Sequence, residues 1–120
     1  MKPALRHETN DCRMISDMLA RVGDKWTVLI VSYLGDGALR FSELKRVVGG
    51  ISQKMLTSTL RNLERDGFVK RTVEPTRPPS VTYELTPLGH ELLVPVTALS
   101  EWTRANIERI EAARAKFDKS

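Results

Sequence analysis

Residues 40–83 run RFSELKRVVGGISQKMLTSTLRNLERDGFVKRTVEPTRPPSVTY, and the order of elements in this stretch decides the fold. Leu44, Val47 and Val48 recur at helical spacing behind Ser42, a residue type that favours the N-cap. Gly49-Gly50 breaks that helix and supplies a turn. Ser52 can cap a second helix by accepting a hydrogen bond from one of its free N–H groups. On this second helix Leu56, Leu60 and Leu63 form one row, and Lys54, Thr57, Ser58, Arg61 and Arg65 form the opposite one. Asp66-Gly67 closes it, glycine being suited to the left-handed position past a helix end. Residues 68–73 and 81–85 then read as two strands. The linker Glu74–Ser80 carries Pro75, Pro78 and Pro79, which stiffen it and remove backbone donors, so its tip projects as a wing. This order predicts a winged helix-turn-helix, mainly α with a small antiparallel β-hairpin (α+β).

The charge follows the same boundaries. Residues 40–77 hold nine basic residues and four acidic ones, a net of +5, whereas the whole chain is only +4. Everything else therefore sums to −1, and the positive charge belongs to this segment. A localised basic face is the electrostatic footprint of a phosphate-backbone binder.

Outward from this stretch, residues 1–11 are polar, contain Pro3 and read as a flexible segment. Ile15, Met18, Leu19 and Val22 give a helical pattern that Gly23 ends. Asp24 can cap the next helix, whose stripe is Trp26, Leu29, Ile30, Tyr33 and Leu34. On the other side Thr86-Pro87 is a helix start, with a capping hydroxyl followed by proline at the first helical position. Leu92, Val96, Leu99, Thr103, Ile107 and Ile110 carry the apolar pattern nearly to the end of the chain, with Pro95 expected to kink or divide it. Roughly 30 helical residues span about 45 Å, more than a domain of this size covers. An apolar stripe of that length calls for a second chain, so a homodimer is expected, closed by this helix and the N-terminal one. The division predicted is residues 1–11 flexible, 12–85 winged helix-turn-helix, and 86–116 a C-terminal dimerisation helix or pair of helices.

The bulk properties narrow the function. At 120 residues the chain is one domain, and 28% charged with 41% hydrophobic residues fits a folded protein. The one cysteine, Cys12, excludes an internal disulfide framework and fits a reducing cytoplasm. No apolar run approaches the roughly 18 residues of a membrane span, and the N-terminus lacks a signal-like apolar region. His7 and His90 stand apart from any cysteine or carboxylate at ligand spacing, so no metal site is expected. No nucleophile–base pair and no phosphate-binding glycine loop is present, so neither an enzyme nor a cofactor is expected.

Cys12, Val22-Gly23-Asp24-Lys25-Trp26-Thr27, Arg40-Phe41-Ser42-Glu43-Leu44, Gly50-Ile51-Ser52-Gln53-Lys54-Met55-Leu56-Thr57, Leu60-Arg61-Asn62-Leu63-Glu64 and Tyr83-Glu84-Leu85-Thr86-Pro87-Leu88-Gly89 occur in this order. Together they resemble the HxlR family of bacterial transcription regulators, related to the MarR group, over about residues 12–105. The resemblance implies a homodimeric winged-helix DNA-binding protein, often one that responds to redox or electrophilic stress.

The expected DNA-contacting set is Arg40, Ser42, Ser52, Gln53, Lys54, Thr57, Ser58, Arg61, Arg71 and Arg77. Lys54, Thr57, Ser58 and Arg61 fall at i, i+3, i+4 and i+7 with no acid between them, a pattern suited to base edges and phosphates. Gln53 lies near the helix start, where adenine readout is feasible; Ser52 caps and can add a phosphate contact. Arg77, flanked by two prolines, can enter the minor groove or grip a phosphate. Lys70 and Arg71 alternate faces on their strand, so one of the two faces the nucleic acid. Cys12 is the candidate for redox sensing, against the plainer reading of a small buried apolar side chain. Trp26, Phe41, Tyr33, Met14 and Met18 read as core or dimer packing, and Trp102 as packing or the wall of an intersubunit pocket. The reading is a sequence-specific double-stranded DNA-binding regulator, a repressor on a pseudo-palindromic operator. The alternative is a winged-helix protein-interaction module without nucleic acid.

Overall fold

Leu56, Leu60 and Leu63 on one helix meet Ile30, Val31 and Leu34 on another, and all six side chains are buried. The computed structural model describes residues 10–120, in which this seam is the centre of the core. The order is α1 (Asn10–Gly23), α2 (Lys25–Leu34), β1 (Leu39–Arg40), α3 (Phe41–Val48), α4 (Gln53–Arg65), β2 (Val69–Glu74), β3 (Ser80–Leu85) and α5 (Pro87–Asp118). The flexible segment expected over residues 1–11 lies, up to residue 9, outside the described residues, as does His7; Asn10 and Asp11 are helical.

Three of the caps follow from the sequence. The Asp24 carboxylate accepts from the Trp26 N–H at 3.4 Å and from the Thr27 hydroxyl at 2.9 Å. Ser52 Oγ accepts from the Met55 N–H at 3.0 Å. Thr86 Oγ1 accepts from the Gly89 N–H at 3.1 Å, with Pro87 opening the helix. The fourth cap differs from expectation. Ser42 does not cap α3; Arg40 occupies that position, and its N–H donates to the Glu43 carboxylate at 2.9 Å. Arg40 is still extended there because it belongs to β1, and an arginine side chain has no acceptor with which to complete a capping box.

β1 is the element that the sequence concealed. The sheet has three strands in the order β1-β3-β2, all antiparallel, with Leu39 opposite Tyr83 and Arg40 opposite Thr82. The hairpin runs in register from Val69–Leu85 to Glu74–Ser80, so Phe68 lies just before the strand and the wing loop shortens to residues 75–79. Phe41, at the start of α3, packs its ring against Tyr83 at 6.5 Å between centroids, fixing α3 to the sheet.

Gly49 and Gly50 both have positive φ, at 66° and 71°, and turn the chain from α3 into α4 through a conformation that side-chain-bearing residues avoid. Gly67, at φ 84°, ends α4 as expected. Its N–H donates to the Glu64 carbonyl at 3.1 Å and that of Phe68 to the Leu63 carbonyl at 3.0 Å, which is the Schellman pattern.

α5 runs through Pro95 as one helix, so of the kink or division expected there the division does not occur. The missing proline N–H leaves the Glu91 carbonyl without its helical donor, but Glu91 and Pro95 are exposed, so water can satisfy it. Its 32 residues make a rod of about 48 Å. The radius of gyration is 17.5 Å, against roughly 14 Å for a compact chain of this length. Of α1's expected stripe, Met18 and Val22 are half-buried while Ile15 and Leu19 stay exposed; Cys12 is its one buried residue.

The Ser52 cap gives a stability test. Replacing Ser52 with Ala should cost about 1 kcal/mol, and with Gly only a few tenths of that unit. Urea denaturation of both variants checks the order, and equal losses would remove Ser52 from the capping role.

Candidate nucleic-acid interface

With the leucine row of α4 committed to the core, the rotation of the helix is fixed and its opposite row faces solvent. Gln53, Lys54, Thr57, Ser58 and Arg61 are all exposed and line one shallow cleft, joined there by Asn62. Asn62 was not among the expected contacts. Its position four residues after Ser58 is the signal that would have placed it, since it prolongs the same row by one turn. Ser52 stands exposed at the head of the helix with its hydroxyl committed to the cap.

A second cleft opens between the start of α3 and the wing. Arg40, Phe41 and Ser42 form one wall, and Glu74, Thr76, Arg77, Pro78 and Pro79 face them. Arg40, Ser42 and Arg77, spread over 38 residues of sequence, thus line one concavity. The wing has its own internal tie, the Thr76 hydroxyl donating to the Pro78 carbonyl at 2.8 Å. Glu74 is the one acid in the lining.

Arg71 lies in neither cleft. It sits opposite Tyr83 on the sheet, alternating with Val69 and Val73 on the face that carries the buried Val69 and Tyr83. Lys70 points to the other face and stands opposite Glu84. The alternation is therefore as expected, and Arg71 is an exposed cation apart from the two clusters.

The electrostatics of the surface rest on what is not paired. Among the described residues the single ion pair is Arg21 to Asp66, 2.7 Å, between α1 and the end of α4. Arg40, Lys54, Arg61, Arg71 and Arg77 therefore carry their charge unneutralised into solvent. Such a surface can accept a polyanion and release its counterions. Cys12 lies outside both clefts, buried at 4% exposure near the start of α1. Among the described residues no group of His, Cys, Asp and Glu could hold a metal ion, and no helix is long and apolar enough to cross a membrane.

Comparison with known proteins places the chain in a family. The family model of the HxlR-like helix-turn-helix matches residues 21–111. The HTH-type transcriptional regulator YtfH of Escherichia coli (strain K12) is 44% identical over 98 residues, covering 82% of this chain and 78% of its own. The solved structure of the transcriptional regulator ytfH from Salmonella typhimurium superposes with a TM-score of 0.76 at 44% identity, covering 84% of this chain and 90% of that one. The redox regulator HypR in its oxidised form gives a TM-score of 0.70 at 39% identity, over 78% of this chain and 96% of that one.

The two clefts should respond differently to mutation. Arg61→Ala should weaken specific DNA binding by about 1–3 kcal/mol and relax base preference if Arg61 reads a base edge. Arg77→Ala should weaken binding to all sequences alike and lower the salt slope by about one unit if Arg77 grips phosphate. Anisotropy titrations across a salt series check both; an Arg77→Ala protein with unchanged affinity and slope removes the wing from the interface.

Proposed function

This chain belongs to the HxlR-like helix-turn-helix family of transcriptional regulators, and from that premise we propose that it is a homodimeric repressor reading a pseudo-palindromic double-stranded operator. The observation that carries the proposal is the exposed, unneutralised row Gln53, Lys54, Thr57, Ser58 and Arg61 on a capped helix. In this reading α4 enters the major groove, where Arg61 and Gln53 read base edges while Lys54, Thr57 and Ser58 contact bases or phosphates. The wing carries Arg77 to the adjacent minor groove or backbone, and Arg40, Ser42 and Arg71 add backbone contacts. The protein-interaction alternative has no use for an unpaired cationic row of this kind.

The dimer reading is supported by the apolar residues that the protomer leaves in water: Met14, Ile15 and Leu19 on α1, and Leu99, Trp102 and Ile107 on α5. Burying them against a second copy would bring two α4 helices to half-sites about one helical turn, or a multiple of it, apart. The deciding experiment is anisotropy of the reduced protein on its upstream intergenic DNA against a shuffled competitor across a salt series, with sedimentation of the same samples. The expected outcome is a dimer whose binding survives the competitor. Binding equal on both DNAs would reduce the proposal to a general polyanion binder.

A second reading, favoured by the likeness to the redox regulator HypR, makes Cys12 the point where thiol oxidants or electrophiles act. Oxidation of a lone cysteine yields a sulfenic acid, a mixed disulfide or an intersubunit disulfide. Oxidant should then change the DNA affinity of the wild-type protein and leave that of Cys12→Ser alone. Equal responses in the two proteins would remove Cys12 from regulation.

A further inference from the structure

The end of α4 and the beginning of α5 are joined directly. The Schellman turn that closes α4 leaves the carbonyls of Gly67 and Phe68 facing Thr86. The Thr86 hydroxyl donates to the Gly67 carbonyl at 2.6 Å, and its N–H donates to the Phe68 carbonyl at 3.0 Å. The same hydroxyl oxygen accepts from the Gly89 N–H, so one side chain links the last turn of α4 to the first turn of α5. Gly89 completes the joint. It is buried, and a Cβ there would collide with the Phe68 carbonyl oxygen and press on Leu85. Only a residue without a side chain lets the two backbones approach this closely.

We infer that Thr86 and Gly89 are positioning residues that set the half-site spacing the protein accepts, by fixing α5 to the end of α4. This rests on the homodimeric DNA-binding reading given above. Its physical basis is leverage. α4 has 13 residues, so its reading end stands about 20 Å from the joint. Clearing a methyl group at Gly89 parts the two backbones by on the order of 1 Å, and any tilt that accompanies this grows along α4. The residues that face the groove keep their arrangement on α4; what changes is where α4 stands relative to α5 and to the second subunit. Thr86 and Gly89 line neither cleft and are not among the proposed DNA contacts, and a lost contact would weaken half-site and full duplex alike where a changed spacing would not.

The test uses the full chain and a duplex selected by the wild-type protein from a random pool, rebuilt with the spacer between half-sites changed by one and two base pairs either way. An isolated half-site is titrated alongside. For Gly89→Ala the expected result is at least a tenfold loss on the original duplex, a change of less than twofold on the half-site, and a spacer optimum moved by one base pair or more. Circular dichroism identifies an unfolded variant. In that event Thr86→Val, which keeps the shape and removes the hydroxyl, is read in the same way, with Thr86→Ser expected to restore the wild-type spacer profile. An unchanged spacer optimum, or equal losses on half-site and full duplex, overturns the inference and leaves the DNA-binding reading intact. A wild-type protein indifferent to spacing would overturn the dimeric reading itself, and this inference with it.

Discussion

An amphipathic helix can bury one face, and on α4 the leucines claim it. Leu56, Leu60 and Leu63 are each at or below 1% exposure against Ile30, Val31 and Leu34. Burying a leucine side chain is worth about 1.5–3 kcal/mol, so three of them together outweigh any preference that the polar row has for another orientation. Most of the structure follows from that. The direction of Lys54, Ser58 and Arg61 follows from the rotation of the helix. The turn at Gly49-Gly50 must redirect the chain from α3 into α4 within the four residues between them, and the Schellman turn at Gly67 must release the chain toward the sheet.

The sheet does for the wing what the core does for α4. A two-stranded hairpin is marginal in water by itself. Here β1 gives β3 a second neighbour and so covers one of the hairpin's edges, while Phe41 packs on Tyr83 from the helix that β1 leads into. One short segment, Leu39–Phe41, therefore ties the wing to α3, and its Arg40 and Phe41 belong to one wall of the second cleft while the wing supplies the other. A motif that looks like a helix start in the sequence is in the structure a strand, a cap and an anchor in succession.

The parts of this fold that were legible are those with a local physical rule. The face of α4 repeats with the helical period, and Asp24, Ser52 and Thr86 are capping residues followed by helical spacing. The clustering of Gln53, Lys54, Thr57, Ser58 and Arg61 was legible for the same reason. What was hidden depends on contacts distant in sequence. β1 is two residues long, too short for any alternation, and exists because Tyr83 and Thr82 offer it an edge. Ser42 has the chemistry of a cap, but the chain turns helical at Phe41, directly after the β1 pairing of Arg40, so Ser42 already lies inside the first turn and cannot serve. Arg77 comes to face Arg40 and Ser42 through the sheet register, which no local pattern encodes. The continuity of α5 past Pro95 turned on which side of the helix meets water, and Gly89 reads as an ordinary weak point in a helix until Phe68 is seen beside it.

The wing loop offers a last consequence. Pro75, Pro78 and Pro79 restrict three of the five residues between the strands, and Thr76 pins the loop's own carbonyl to itself. A segment so restricted has surrendered most of its conformational freedom before it meets anything. Ordering a flexible loop on contact subtracts from the free energy of association; a loop that is already ordered subtracts little. A short projection with one cation at its tip can therefore hold its partner more tightly than its small contact area implies, and the difference is entropic.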